Sequence, residues 1–163
     1  MLRPARPEDA DALAVILRAA MREAMPWLPD LHTPEDDRRY LREVVLPGME
    51  VWVADEADGV VTGFTTLGTR DGDDFMEHLY VAPEHQRRGI GTALMERAKT
   101  SRPAGFRLWV FQRNAGARDF YEHHGFRLVE LSDGSGNEEK EPDALYEWSG
   151  ASTESASADS VRA

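Results

Sequence analysis

The stretch "EHQRRGIGTALMERA" (residues 84–98) decides how this chain is read. It follows a β-favouring run, "DDFMEHLYVAP", that stops at Pro83, and it leads into apolar positions at helical spacing. A strand that enters a glycine-rich turn and then a helix makes a place for an anion. The first amides of the helix have no internal partner, and the helix dipole backs them. Gly89 and Gly91 remove side chains that would hold a phosphate off that backbone, and Arg87 and Arg88 add charge. Between Glu84 and Arg102, five basic residues face two acidic ones, a local +3 within a chain of formal charge −11. A helix start with exposed arginines is the plainer reading. A Walker loop is excluded because G-x-x-x-x-G-K-[ST] does not occur. A dinucleotide fingerprint is excluded because Leu94 stands where the third glycine belongs, and the next strand ends in Phe111–Gln112 with no ribose-binding acid.

The 163 residues give room for one domain, and 41% hydrophobic with 30% charged residues is ordinary for a soluble protein. Thirty acidic against nineteen basic residues disfavour nucleic acid and anionic lipid as partners. With no cysteine, disulfides, thiolate metal sites and a cysteine nucleophile are excluded. No signal peptide or membrane span is expected, and a cytoplasmic location is the default.

Outward from the opening stretch, "LRPA" (2–5) reads as an edge strand. "PEDADALAVILRAAMREAM" (7–25) reads as a helix with Pro7 first and Glu8, Asp9 and Asp11 at its positive end. Thr33 predicts the cap of a second helix, with Pro34 at its first position. "EVWVADEADGVVTGFTTLGTR" (50–70) gives two strands about a turn, and "GFRLWVFQ" (105–112) gives the most apolar strand. "NAGARDFYEHH" (114–124) is a short helix capped by Asn114 and stopped at Gly125. "FRLVEL" and "ALYEW" close as strands, Phe120 and Phe126 are expected in the core, and Trp52, Trp109 and Trp148 are most simply core too. The order β-αα-βββ-α-β-α-ββ predicts an α/β (α+β) fold with a mixed sheet and helices on both faces. Residues 1–148 form the expected domain, and 149–163 read as a disordered tail.

Taken together, "LYVAPEHQRRGIGTALMERA" and "NAGARDFYEHHGF" resemble the two signature segments of the GNAT superfamily of acetyl-CoA-dependent N-acetyltransferases. The element order matches over about residues 1–148. The resemblance implies a mostly antiparallel sheet of six to seven strands, splayed at the cofactor site. It implies acetyl-CoA as co-substrate, its diphosphate resting on Gln86, Arg87, Arg88, Gly89, Ile90, Gly91 and Thr92. The pantetheine arm would lie along Leu79, Tyr80 and Val81, with the Val81 amide polarising the thioester carbonyl. Asn114 matches a pantetheine-bonding position, and Ala117 lies on the same helix face. Tyr121 matches the tyrosine that protonates the leaving thiolate.

Glu77 shares a strand face with Leu79 and Val81 and is the candidate base, an ordered water being the alternative. Without cysteine, direct transfer to a primary amine in a ternary complex is favoured over ping-pong. Trp27 and His32 are candidate linings of the acceptor pocket. Glu138 and Glu139, with Asp30, Glu35, Asp36 and Asp37, are candidate attractors of a cationic acceptor, a solvated charge run being the alternative. No metal is expected, and a homodimer is open. Two other functions stay open: a coenzyme A sensor without turnover, and a transferase for a different acyl group.

Overall fold

The computed structural model describes residues 1–151, and the rest of the expected tail lies outside the described residues. The chain runs β1 (Leu2–Pro4), α1 (Ala10–Ala24), α2 (Pro34–Tyr40), a π turn (Leu41–Val45), α3 (Leu46–Gly48), β2 (Glu50–Asp55), β3 (Val61–Arg70) and β4 (Asp73–Val81). It continues through α4 (Ile90–Ser101), β5 (Phe106–Phe111), α5 (Ala115–His123), β6 (Arg127–Ser132) and β7 (Asp143–Trp148). The π turn and the short α3 are additions to the expected order. Seven strands form one mixed sheet in the order β1-β2-β3-β4-β5-β7-β6. The pairs β1–β2, β2–β3, β5–β7 and β6–β7 are antiparallel. The β4–β5 pair is parallel, with Phe75 opposite Arg107.

The chain divides into two compact units, Met1–Gly68 with Met76–Ala98 and Thr69–Phe75 with Lys99–Ala163. The first is built on a core of Leu13, Ile16, Leu17, Leu41, Val45, Val53 and Phe64. Helical spacing turns Leu13, Ile16, Leu17 and Ala20 of α1 inward and leaves Val15 exposed, and each fully buried Leu or Phe contributes on the order of 1.5–3 kcal/mol. Thr33 caps α2 as expected. Its hydroxyl accepts from the Asp36 amide at 3.1 Å and the Asp36 carboxylate accepts from the Thr33 amide at 2.9 Å.

Asp9 departs from its expected place in the first turn of α1. A 3₁₀ turn, Pro7–Asp9, precedes that helix. The Asp9 carboxylate accepts from the Arg6 amide at 2.7 Å and from both terminal nitrogens of Arg3 at 2.9 and 3.0 Å. Arg3 also donates to Asp55 at 2.9 Å, so one guanidinium ties β1, the entry to α1 and the end of β2.

In the second unit, Phe106, Leu108 and Val110 alternate inward from β5 and meet Ala144, Tyr146 and Trp148 of β7. Phe106 stands edge-on to Phe126 at 5.4 Å and to Trp148 at 5.6 Å. Trp148 and Phe126 are core as expected, whereas Trp52, Trp109 and Phe120 are half-buried. Trp52 lies under the Arg97 guanidinium at 4.6 Å, which explains its partial exposure. The Ala151 amide donates to the Pro103 carbonyl at 3.0 Å, tying the chain down three residues past β7.

The Arg3 guanidinium holds the Asp9 carboxyl below the usual carboxylate range. A depressed folded-state pKa gives stability that is present above the unfolded value and lost as pH falls through the folded one. Asp9→Asn is therefore expected to cost about 2 kcal/mol at neutral pH, because it leaves Arg3 half-partnered. It should also flatten the stability profile below pH ~4. Urea unfolding at pH 7 and pH 3 checks both, and a variant as stable as wild type at pH 7 would contradict the tie.

Candidate active site

In the first unit, β4 runs out at Val81, and a 3₁₀ turn, Pro83–His85, leads to the segment before α4. There Arg87 takes φ 64° and Gly89 φ 81°, two left-handed residues separated by one. For Arg87 this conformation carries strain of order 1 kcal/mol or more, whereas glycine adopts it freely. Such a backbone turns successive amides outward. The amides of Arg87, Arg88, Gly89, Ile90 and Gly91 donate to nothing among the described residues, and the first internal bond of the helix runs from Ala93 to the Gly89 carbonyl at 3.0 Å. The Arg87 and Arg88 side chains are exposed and have no ionic partner among the described residues. Nothing lies within 4 Å of a Cβ built on Gly89, so the space above it is open. The turn thus gathers Arg87, Arg88, Gly89, Ile90 and Gly91 with their amides facing outward.

Gln86 differs from the rest of the cradle. Its side-chain amide donates to the Val81 carbonyl at 3.0 Å, so it fixes the loop to the end of β4. His85 reinforces this from the other side, its Nε2 lying 3.0 Å from Glu56 Oε1. Gly63 is a residue the sequence reading missed. A Cβ there would sit 2.9 Å from the Tyr80 carbonyl and 3.3 Å from side-chain atoms of Ile90 and Leu94. Glycine at 63 lets the start of α4 settle against β3 and β4, which positions the cradle. A glycine inside a strand pattern was the available signal.

Leu79, Tyr80 and Val81 are half-buried on β4, as is Glu77, whose Cγ lies 3.9 Å from a Cβ built on Gly68. The intervening His78 faces α2. Its Nε2 is 3.2 Å from the Tyr40 hydroxyl and its Nδ1 2.7 Å from Thr66 Oγ1. Alternation along the strand sets Leu79 on the face opposite His78, whereas the Glu77 Cγ lies beside the Gly68 Cβ position, next to Met49.

In the second unit, the Asn114 side chain accepts from the Ala117 amide at 3.2 Å and so caps α5. No residue of α5 is buried. A polar chain secures the helix instead: Arg118 donates to the Tyr146 hydroxyl at 2.9 Å, and that hydroxyl donates to Glu122 at 2.6 Å. Burial, with Glu122 adding to it, raises the Tyr146 phenol. Tyr121 packs edge-on against Phe120 at 5.6 Å and Phe126 at 5.8 Å. Its hydroxyl makes no hydrogen bond among the described residues, and desolvation pushes the phenol up to about 12. Tyr121 is therefore a neutral donor at any physiological pH.

The acidic residues of the α1–α2 segment are largely spent inside the first unit. Arg18 reaches Asp37 at 2.8 Å and Asp30 at 3.2 Å, and Arg22 also holds Asp30. Glu35 pairs with Arg38, and Asp36 belongs to the cap of α2. Four carboxylates that could have attracted a cation are thus already partnered. His32 is exposed, with its carbonyl accepting from Arg18 at 2.6 Å, and Trp27 is half-buried. Glu138 and Glu139 sit on the β6–β7 loop of the second unit. Asn137 braces this loop by donating to the Glu141 carbonyl at 2.8 Å. Among the described residues no group of three or more His, Asp or Glu could hold a metal ion, and no helix is long and apolar enough to cross a membrane.

A strand, a left-handed turn and a helix whose first amides are unbonded among the described residues set donors outward beside two guanidiniums. The acetyltransferase (GNAT) domain model matches residues 47–128. The probable N-acetyltransferase Rv2775 of Mycobacterium tuberculosis is 31% identical over 139 residues, covering 78% of this chain and 79% of that protein. The peptidyl-lysine N-acetyltransferase YiaC of Escherichia coli is 36% identical over 92 residues, covering 56% of this chain and 60% of that protein. This chain thus spans less than two thirds of YiaC. The coenzyme A complex of PaiA N-acetyltransferase from Thermoplasma acidophilum has the same fold, with TM-score 0.73, 23% identity and coverage of 91% and 98%. The chain belongs to the GNAT acetyltransferase family.

Two glycine substitutions separate scaffold from cradle. Gly63→Ala is expected to cost about 2 kcal/mol or more by forcing α4 off the sheet. Gly89→Ala should cost only about 1 kcal/mol, from its left-handed backbone alone. Thermal unfolding of the two variants checks the order, and an equal loss in both would contradict it.

Proposed function

We propose that this protein transfers the acetyl group of acetyl-CoA to a primary amine by direct attack. The observation that carries this reading is the run of five unpartnered amides at the cradle, flanked by two exposed arginines with no ionic partner among the described residues. Amides 87–91 and the two guanidiniums would hold the diphosphate, a dianion that the remaining surface of a −11 chain repels. Leu79–Val81 would bond the pantetheine as an added strand, and the Val81 amide would polarise the thioester carbonyl.

The acceptor nitrogen attacks the carbonyl carbon, the C–S bond breaks, and Tyr121 gives its proton to the departing sulfur. A phenol raised to about 12 lies above the range of a thiol, which favours its holding the proton until the thiolate forms and then sharing it by a hydrogen bond. The Asn114 side chain keeps its amide nitrogen for the pantetheine while its oxygen caps α5. Glu77 or an ordered water takes the proton of the amine. YiaC and YjaB of Salmonella typhimurium, the latter 29% identical over 135 residues, are named peptidyl-lysine N-acetyltransferases, which supports an amine acceptor. MnaT of Escherichia coli, an L-amino acid N-acyltransferase 35% identical over 102 residues, supports the same acceptor group on a smaller molecule.

Coenzyme A release followed with a thiol reagent over a panel of amines tests the reading. Tyr121→Phe should lower kcat by roughly 100-fold while the Kd for coenzyme A stays within about threefold. Calorimetry that finds no association of coenzyme A with the wild-type chain would sink the proposal; tight association with no turnover would favour a sensor.

The raised phenol carries a pH expectation of its own. A folded-state pKa above the unfolded value gives stability that is whole below pH ~10 and lost as pH climbs toward 12. Tyr121→Phe should remove that alkaline loss, as read from unfolding midpoints between pH 9 and 11.5.

A further inference from the structure

We propose that Arg118 is a positioning residue for Tyr121, acting with Tyr146 and Glu122 as a clasp that sets the rotation of α5 about its own axis. The inference rests on the acyl-transfer reading, in which Tyr121 gives up a proton, and adds to it what keeps that phenol aimed.

Helix α5 needs such a device. No residue of Ala115–His123 is fully buried, so packing alone grips it weakly. Its two ends are tied through the backbone. The Asn114 amide donates to the Phe111 carbonyl at 3.0 Å ahead of the helix, and Lys99 Nζ donates to the His124 carbonyl at 2.5 Å beyond it. Backbone ties lie close to the helix axis, so they leave rotation about that axis to be set in between.

Arg118 and Glu122 supply the grip. They are four residues apart and share one helix face. Both meet the single hydroxyl of Tyr146: Arg118 Nε donates to it at 2.9 Å, and it donates to Glu122 Oε2 at 2.6 Å. Arg118 Nη1 also donates to the Gln112 carbonyl at 3.3 Å.

The groups they close on are themselves fixed. Tyr146 is fully buried within β7, opposite Leu108 of β5 on one side and Leu128 of β6 on the other. The Gln112 amide donates to the Pro142 carbonyl at 2.9 Å, and its side chain donates to the carbonyls of Ser132 and Asp143 at 2.9 and 3.0 Å. Three strands thus dictate the setting of α5. Tyr121 stands three residues past Arg118, so its side chain leaves the helix about 60° round from the clasped face. Asn114 and Tyr121 are seven apart and leave it within about 20° of each other. Fixing the rotation therefore aims both residues together. The clasp moves no proton and acts on the reaction through Tyr121.

The test measures kcat, KM and coenzyme A affinity, below every unfolding midpoint, with acetyl-CoA and the amine of the panel that wild type turns over fastest. Arg118→Met and Tyr146→Phe are each expected to lower kcat about tenfold, with KM for the amine and the Kd for coenzyme A within about threefold. Arg118→Lys, which keeps a donor for the Tyr146 hydroxyl, should recover kcat to within about threefold of wild type. In a Tyr121→Phe background neither substitution should cost more than about twofold further, because the group they aim is gone. Arg127→Gln breaks a different ion pair of the same unit, to Glu147 at 3.0 Å, and should leave kcat unchanged. Arg118→Met keeps the stem of its side chain, so it remains informative if Tyr146→Phe fails to fold. Turnover by wild type with unaltered kcat in Arg118→Met overturns the clasp alone. A full tenfold loss that persists in the Tyr121→Phe background, or one matched by Arg127→Gln, overturns it as well. Absence of turnover with any amine overturns the acyl-transfer reading and the clasp with it.

Discussion

Arg87 and Gly89 in the left-handed region hold five amides away from every carbonyl among the described residues, and the contacts around the turn keep them so. A strained arginine persists only where its neighbours over-determine it. Gln86 clips the turn to the Val81 carbonyl, His85 reaches Glu56, and Gly63 lets α4 sit close against the sheet. These contacts all lie within the first unit and fix the turn in place. Unpaired amides that are already aligned need no reorganisation on binding, which is how preorganised sites gain affinity.

The charge distribution follows the same logic. A chain with eleven excess negative charges keeps two arginines at the turn without ionic partners among the described residues, while Arg3, Arg18, Arg22 and Arg38 are tied to carboxylates. The paired arginines join elements distant in sequence or cap a helix. Arg87 and Arg88 lie where the backbone also points its donors outward. In the second unit the division is different. No residue of α5 is fully buried, and the helix depends on Asn114 and on the Arg118–Tyr146–Glu122 chain, while the Tyr121 hydroxyl is desolvated and makes no hydrogen bond among the described residues.

Local signals carried the sequence reading a long way. Thr33 and Asp36 cap α2, Asn114 caps α5, and Gly89 and Gly125 both take positive φ, because each outcome depends on residues three or four positions apart. What stayed hidden depends on distant partners. Asp9 looks like a helix-start acid, yet Arg3 and the Arg6 amide draw it inward. Gln86 looks like part of a phosphate loop, yet its side chain serves the strand before it. Tyr40 and His78 lie thirty-eight residues apart and meet only through the packing of α2 on β4, which no spacing rule reveals. The acidic α1–α2 segment reads as a run of like charge, yet Arg18 bridges Asp30 and Asp37 within it.

The π turn at Leu41–Val45 begins one residue after Tyr40. A π turn is a helix carrying one residue too many, and such widenings recur beside working sites. Its apolar Leu41 and Val45 are four apart and both fully buried, so the surplus residue is absorbed without loosening the core. Shortening this segment by one position would rewind it to an ordinary helix, and everything on one side of the deletion would turn by about a hundred degrees. Either the core pair or the phenol would then lose its bearing. The surplus residue thus sets the direction of Tyr40 toward β4 without disturbing the interior.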